Sequence, residues 1–310
     1  MRISASGSVS VAVMAGEGNF SFDKRYYFDP DYRWQQDKKI VRWCEKIFSP
    51  YPVYHAEAHL ARISFQPRPF RQVGGIQPNL ILSAALGAQL VFPGNCDPDI
   101  DHAPLAVYKD FLDVSNICWE VQEPVKTFLG QIDELKRRFR NQPVDIFPPF
   151  FWDISGRAAV HGPLTTAVKL IGEEFFTLPY SRFDQARRFI NWITESYLNL
   201  INLFSNRVGI RLNEIHVGEC TGTLFPAEIW ERLAEPAMNK MASAAGALRL
   251  HSCGHSDHLL GAMKQVKNVR CLNFGSNTSI KKTRQVFGKK IKIDIIPDMQ
   301  LLQYGSPAEM

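Results

Sequence analysis

A histidine and a cysteine stand one residue apart in this chain, at His251 and Cys253, after a strand-like run. On a β-strand both side chains leave the same face, about 6.6 Å apart along the backbone. Zinc favours neutral imidazole and thiolate ligands, and catalytic zinc sites combine three protein ligands with one open position. The pair is therefore a candidate part of a zinc site. A hydrogen-bonded core histidine beside a small buried cysteine is the alternative that the spacing leaves open.

Further reactive side chains follow the neighbouring strand-like runs. The preceding run leads to Glu219 and Cys220, the next one contains Cys271 and Asn273, and the one after it leads to Asp298. The carboxyl ends of the strands meet at one face of an α/β barrel, so we expect these groups to converge. Cys220 or Glu219 would complete the metal site. Glu219 and Asp298 are the candidate catalytic residues, although Asp298 fits loop capping equally well.

The second half of the chain predicts strictly alternating strands and helices. The predicted strands are 212–217, 247–253, 269–274 and 291–296, and the predicted helices are 183–204, 226–245, 257–266 and 279–287. Such alternation implies a parallel sheet. A Rossmann sheet is disfavoured because no Gly-x-Gly-x-x-Gly follows a strand. We predict a TIM-type (β/α)8 barrel over residues 76–310.

The first half predicts less regular structure. Residues 1–75 are predicted to be an irregular, aromatic-rich lead-in, with one helix at about 34–47 that buries Cys44. Residues 77–94 predict a helix followed by a strand at 88–92. The loop predicted at 93–104 is rich in Asp and contains His102, but it lacks the spacing of a calcium loop and suits a barrel loop better.

Composition excludes several classes of protein. The 310 residues are 45% hydrophobic and 22% charged, which is typical of a globular protein with ample core. The net charge of +5 comes from dispersed residues, so nucleic acid is not an expected partner. The six cysteines lack disulfide-like spacing, and no window reaches the roughly 18 apolar residues of a membrane span. We expect a soluble, unprocessed cytoplasmic protein without membrane contact.

Several blocks, in order along the chain, carry a family resemblance. Residues 160–167 (VHGPLTTA), 218–230 (GECTGTLFPAEIW) and 305–309 (GSPAE) resemble the corresponding signatures of the uroporphyrinogen decarboxylase superfamily. The resemblance covers about residues 75–310 and implies a barrel fold. The chain ends within the last of these blocks, so we expect the final βα portion to be reduced or absent. An exposed edge strand there would make a homodimer plausible.

Within that superfamily, residues 250–254 (LHSCG) resemble the zinc-dependent methylcobamide:coenzyme M methyltransferases. They are also similar to the His-x-Cys pair of cobalamin-independent methionine synthase. The resemblance implies that His251 and Cys253 hold a zinc that activates a thiol acceptor. It further implies a methyl donor that is a corrinoid, carried by a partner protein, or a related small molecule.

Two departures from those relatives concern the third ligand. The zinc methyltransferases take another cysteine from near the end of the barrel, but no cysteine follows Cys271 here. The glutamate ligand of the methionine synthase type falls near Gly275, which has no side chain. Cys220 or Glu219 is therefore the expected replacement.

Two other functions remain open. One is a uroporphyrinogen decarboxylase-like carboxy-lyase, although the arginine-rich N-terminal segment that grips substrate carboxylates is missing. The other is a non-catalytic barrel that binds a corrinoid or another tetrapyrrole.

Overall fold

The computed structural model describes residues 9–50, 68–106, 117–296, 298, 300, 304 and 306. The chain divides into two compact units. The first unit comprises Met1–His102, Cys118–Gly156 and Leu203–Ile210, and the second comprises Ala103–Ile117, Arg157–Asn202 and Arg211–Met310. The boundary after residue 75 stays a prediction.

The described residues form both helices and strands. The helices are α1 Val11–Gly16, α2 Lys24–Phe28, α3 Pro30–Phe48, α4 Pro78–Ala85, α5 Val125–Arg138, α6 Pro163–Ile171, α7 Leu178–Ser181, α8 Phe183–Val208, α9 Ala227–Ile229, α10 Glu235–Ala245, α11 Leu260–Lys264 and α12 Ile280–Phe287. The strands are β1 Phe70–Gln72, β2 Leu90–Val91, β3 Asp99–Ile100, β4 Asp145–Phe147, β5 Arg157–His161, β6 Glu214–Gly218, β7 Leu248–Ser252, β8 Val269–Phe274 and β9 Lys292–Ile295.

The lead-in contains more helix than its sequence predicts. Helix α3 begins earlier than residue 34 because Asp29 caps it, accepting hydrogen bonds from two backbone amides, and Pro30 occupies its first position. Two short helices, α1 and α2, precede it. Cys44 is fully buried on α3, as the apolar spacing predicts.

Two small sheets lie in the first unit. Strands β1 and β4 pair in parallel, and the sequence pattern predicts neither of them. The strand predicted at 88–92 shrinks to β2, which pairs antiparallel with β3 inside the segment predicted as a loop. Pro93 and Gly94 follow β2 and allow the chain to turn back. In the same segment Nδ1 of His102 lies 2.7 Å from a carboxylate oxygen of Asp101, and both side chains are exposed.

The second unit contains a five-stranded parallel sheet in the order β5-β6-β7-β8-β9. Four of these strands match the predicted strands, whereas β5 is an addition to them. Helical segments connect every successive pair. Adjacent strands in chain order with helical connections are the arrangement of a TIM-type barrel, so the predicted fold class is confirmed.

The two faces of this sheet differ in chemistry. Burial alternates along β5, β6 and β7, and residues such as Val160, Val217 and Leu250 form the apolar face. The other face is polar and consists of two rows that run across the strands. The carboxyl-end row comprises His161, Gly218, His251, Asn273 and Asp294, and the second row comprises Ala159, His216, Arg249, Cys271 and Lys292.

The helix predicted at 226–245 is interrupted. Between α9 and α10 the backbone forms a π-turn at Trp230–Ala234, in which the Glu235 amide bonds the carbonyl of Trp230, five residues earlier. Pro236 explains the change, because it has no amide hydrogen to continue the α-helical pattern.

Candidate metal centre

Three donor side chains converge where β6 and β7 end. One ligand atom from each of Cys220, His251 and Cys253 lies within 4.8 Å of the other two. Tetrahedral zinc, with sulfur at about 2.3 Å and nitrogen at about 2.0 Å, holds its donors roughly 3.5–3.8 Å apart. Each distance between donor atoms therefore needs to shorten by about 1.3 Å at most to meet the requirement of zinc. Two sulfurs and one imidazole are also the donor types that zinc prefers.

The register of the sheet brings these donors together. Gly218 pairs with His251, and the Glu219 amide donates to the His251 carbonyl at 2.8 Å, so the ladder continues past the end of β6. Cys220 and Cys253 each lie two residues beyond the paired positions. Both cysteines therefore lie just beyond the carboxyl ends of adjacent strands.

A hydrogen bond fixes the orientation of the His251 ring. Its Nδ1 lies 2.8 Å from Oδ1 of Asn273, and Nδ2 of Asn273 donates to the Asp294 carbonyl at 3.3 Å. Because the amide oxygen can only accept, the proton resides on Nδ1 and leaves the Nε2 lone pair for a metal. Burial lowers the pKa of His251, so the ring is neutral at pH 7.

The surroundings of Cys220 disfavour its thiolate form in the absence of a cation. Burial raises the pKa of the Cys220 thiol to about 12, and its hydrogen bond with Cys253 adds to the effect. Cys220 and His251 are half-buried, whereas Cys253 is exposed. A bound divalent cation reverses this tendency, because it stabilises coordinated thiolates.

The Glu219 carboxylate is directed at the start of α6. Its Oε2 accepts a hydrogen bond from the Leu164 amide at 3.1 Å, and its Oε1 accepts from the Thr165 amide at 2.7 Å and the Thr165 hydroxyl at 2.6 Å. The partial positive charge at a helix start suits a carboxylate. Burial nevertheless raises the pKa of Glu219 to about 7.

These contacts anchor the loop that carries Cys220. The Thr165 hydroxyl also accepts from the Thr221 amide at 3.0 Å. Glycine is required at position 162, since a Cβ there would overlap the Glu219 carboxylate. Glu219 lies outside the group of three donors, so Cys220 is the third candidate ligand and Glu219 positions it.

The loop after β8 closes tightly over Cys253. A Cβ on Gly275 would overlap the carbonyl oxygen of Cys253, and the Gly275 amide donates to the Ser252 carbonyl at 3.0 Å. A side chain of any kind is excluded at this position. The glutamate that the methionine synthase type supplies here has no place in this chain.

The second row places a charged network beside the centre. Arg249 donates to Asp294 at 3.1 Å and lies 2.8 Å from Nδ1 of His216, whose ring centroid is 5.5 Å from that of His251. Burial, together with Arg249 and the other histidines, lowers the pKa of His216 to about 3. His161 is half-buried, and its buried Nδ1 atom has no hydrogen-bond partner among the residues that the structure describes.

The sequence contains a signal for these additional residues. Polar side chains recur at every second position of the strands, at Arg249 and His251, for example, and at Cys271 and Asn273. On a strand such a pattern places polar groups on one face. The prediction rests instead on residues near the strand ends, so it includes Cys271 from the second row but omits His216 and Arg249.

The remaining predicted residue, Asp298, and the two histidines that follow Cys253 lie outside the group of three donors. Asp298 accepts a hydrogen bond from the Gln300 amide at 2.8 Å, which is the geometry of loop capping. His255 is exposed and lies 3.6 Å from Asp257. Nε2 of His258 lies 3.2 Å from the Phe225 carbonyl.

Comparisons with known proteins point to one family. The family model "Uroporphyrinogen decarboxylase (URO-D)" matches residues 79–307. Among solved structures, a methyltransferase from Methanosarcina mazei has a similar fold, with a TM-score of 0.59 and 13% sequence identity, over 95% of this chain and 77% of that chain. A search of curated proteins gives no match. Within the described ranges, no helix is both long and apolar enough to cross a membrane.

Proposed function

This chain belongs to the uroporphyrinogen decarboxylase family, and on that premise we propose that it is a zinc-dependent methyltransferase with a thiol as methyl acceptor. The proposed zinc ligands are Cys220, His251 and Cys253. The observation that carries the proposal is the convergence of their donor atoms within 4.8 Å of one another.

The bound zinc would lower the pKa of a substrate thiol in its open fourth position and hold it as a nucleophilic thiolate. The residues of the chain prepare this position. Asn273 holds the His251 ring in the tautomer that can bind a metal, and Glu219 fixes the loop of Cys220. Cys253 is exposed, so a substrate can approach from its side. Asp298 could orient a polar substrate group only if its loop contact opened.

The proposed methyl donor is a corrinoid, delivered by a partner protein, or a related small molecule. We also propose a homodimer and a cytoplasmic location. Light scattering of the purified protein tests the dimer. Pull-down with a methylcobamide-loaded corrinoid protein tests the partner.

The decarboxylase alternative needs free cationic groups that hold substrate carboxylates. On the polar face of the sheet, Arg249 is engaged by Asp294 and His216. These contacts favour the metal hypothesis. Assays of decarboxylation with uroporphyrinogen, and of corrinoid binding by metal-free protein, distinguish the two alternatives.

The deciding experiment measures zinc and methyl transfer in the same samples. We expect about one zinc per chain by elemental analysis, and zinc-dependent methyl transfer from methylcobalamin to a thiol. Cys220→Ser, His251→Ala and Cys253→Ser should each lose the zinc and the activity. Cys271→Ser is the matched control, because Cys271 is buried on β8 and bonds Asp294 at 3.3 Å, outside the group of three donors. Full zinc content in all three ligand variants would refute the proposal.

A further inference from the structure

Two of the three donors are cysteines that follow the ends of neighbouring strands. Their sulfur atoms lie within 4.8 Å of each other, without an intervening ligand. Cα atoms at equivalent positions of adjacent strands are about 4.8 Å apart. Disulfides need Cα atoms separated by roughly 4.4–6.8 Å. Cys220 and Cys253 follow directly on two strands that pair at this spacing, and their thiols are hydrogen-bonded to each other, so a disulfide requires the two sulfur atoms to move closer together.

The two thiols differ in accessibility. Cys253 is exposed, whereas Cys220 is half-buried and held by the loop that Glu219 anchors. A small oxidant therefore reaches Cys253 first, and Cys220 is the adjacent thiol that can react next. Elsewhere in the second unit, Cys271 is buried and donates to Asp294, so it is not available to either sulfur.

We propose that Cys220 and Cys253 form an oxidation site, in which a peroxide converts the pair to a disulfide when no metal is bound. In the first step the Cys253 sulfur attacks a peroxide oxygen, forming a sulfenic acid and releasing an alcohol or, from hydrogen peroxide, water. In the second step the Cys220 sulfur attacks the sulfenic sulfur and releases water. The two thiols lose two electrons in total, and the peroxide is reduced.

The oxidation site and the metal centre share the same atoms. A disulfide removes two of the three donors, so the oxidised protein cannot hold the metal through Cys220, His251 and Cys253. Zinc in turn occupies both sulfurs and protects them. This second consequence rests on the proposed function, whereas disulfide formation in metal-free protein does not.

The first experiment uses metal-free full-length protein treated with hydrogen peroxide. We expect a mass lower by two hydrogens and, after digestion, a cross-linked peptide pair that contains Cys220 and Cys253 and disappears on reduction with dithiothreitol. Cys271→Ser should behave like the wild type. Cys220→Ser and Cys253→Ser should lack this cross-link, with circular dichroism confirming that they are folded. Absence of this peptide pair from oxidised wild-type protein overturns the proposal.

The second experiment repeats the oxidation after zinc is added in excess. We expect the cross-link to form at least about tenfold more slowly, because the sulfurs must leave the metal before they react. Release of zinc, followed with a chromogenic chelator, should parallel disulfide formation. An equal rate of cross-linking with and without zinc would show that zinc does not protect the two sulfur atoms. If no zinc binds at all, the proposed function fails, while the peptide pair from the first experiment still decides the oxidation site.

Discussion

Each unit contains a cluster of polar side chains, and the two clusters differ in whether opposite charges are paired. In the first unit Arg33 donates to the Gly74 carbonyl at 2.8 Å and lies 4.7 Å from the Tyr26 ring centroid. Asp37 is 3.7 Å from the Arg33 guanidinium and accepts from the Tyr26 hydroxyl at 2.7 Å. Each charge therefore has an opposite charge beside it.

The polar groups at the candidate metal centre of the second unit are not paired by charge in this way. Two thiols face each other, and Nδ1 of the nearby His161, like Nε of Arg33 in the first cluster, has no hydrogen-bond partner among the described residues. Buried polar groups without partners are rare, because each costs stability. The comparison suggests that the Arg33 cluster stabilises the fold, whereas the three donors and the carboxyl-end row are arranged to bind a ligand.

The largest expected effect on stability is at Asp37. Replacing Asp37 with Ala leaves the buried guanidinium of Arg33 without its counter-charge and should lower the free energy of unfolding by about 3–5 kcal/mol. Urea denaturation measures the loss. Zinc content per folded chain should remain that of the wild type. If Asp37→Ala lost zinc but kept the stability of the wild type, the Arg33 cluster would not be the part of the molecule that stabilises the fold.

A smaller effect, on the metal rather than the fold, is expected at Asn273. Asn273→Ala removes the acceptor that orients His251, and losing such a partner typically weakens metal binding by about 10–100-fold. Competition with a zinc chelator measures the affinity. The control is Asn239→Ala, which removes an amide that contacts Lys267 and Glu235 outside the rows. Equal zinc affinity in the wild type and Asn273→Ala would show that the ring needs no orienting partner.

Replacing His161 tests whether a buried polar atom without a hydrogen-bond partner lowers the stability of the fold. His161→Leu replaces a buried polar ring atom without a partner among the described residues by an apolar side chain, so it should raise the free energy of unfolding by about 1 kcal/mol. Methyl transfer should fall at the same time if the ring serves the site. Thermal unfolding and the methyl transfer assay are measured on the same preparation. A clear loss of stability would mean that His161 is part of the structural core.

The smallest effect concerns a pH-dependent ion pair of the first unit. Partial burial alone would raise the pKa of Asp31, but hydrogen bonds from Arg71 and Arg138 outweigh it and hold the pKa below 3.8. A depressed carboxyl pKa stabilises the fold above pH 3.8, and this stabilisation is lost as the pH falls through the lowered pKa. Asp31→Asn should be less stable than the wild type at pH 7, and the two should converge in strong acid. The urea concentration at the midpoint of unfolding, measured for both proteins between pH 7 and strong acid, checks the sign of this difference in stability.

Much of the second unit is predictable from local sequence. Helix α8 follows from its apolar stripe, and β6 to β9 follow from apolar runs between turns. Strand β5 escapes prediction because Arg157-Ala-Ala-Val-His161 contains two alanines and only one β-branched residue. The π-turn before Pro236 escapes it because a proline near a helix start is also compatible with a regular helix.

The site is predictable in its members but not in its geometry. His251 and Cys253 follow from their spacing and the family resemblance. The choice between Cys220 and Glu219 depends on where α6 starts relative to the end of β6, since that start binds the Glu219 carboxylate. The partner of His251 depends on the pairing of β7 with β8, and a single sequence does not specify such long-range register.

The two-row pattern also sets which length changes the gene can tolerate. Deleting or inserting a single residue within β7 would turn Arg249 and His251 towards the helices and place leucines among the polar groups. The same change in the connections that precede β7 or follow it would leave the alternation intact. Insertions and deletions should therefore be found in the connections between the strands and be absent from the strands themselves.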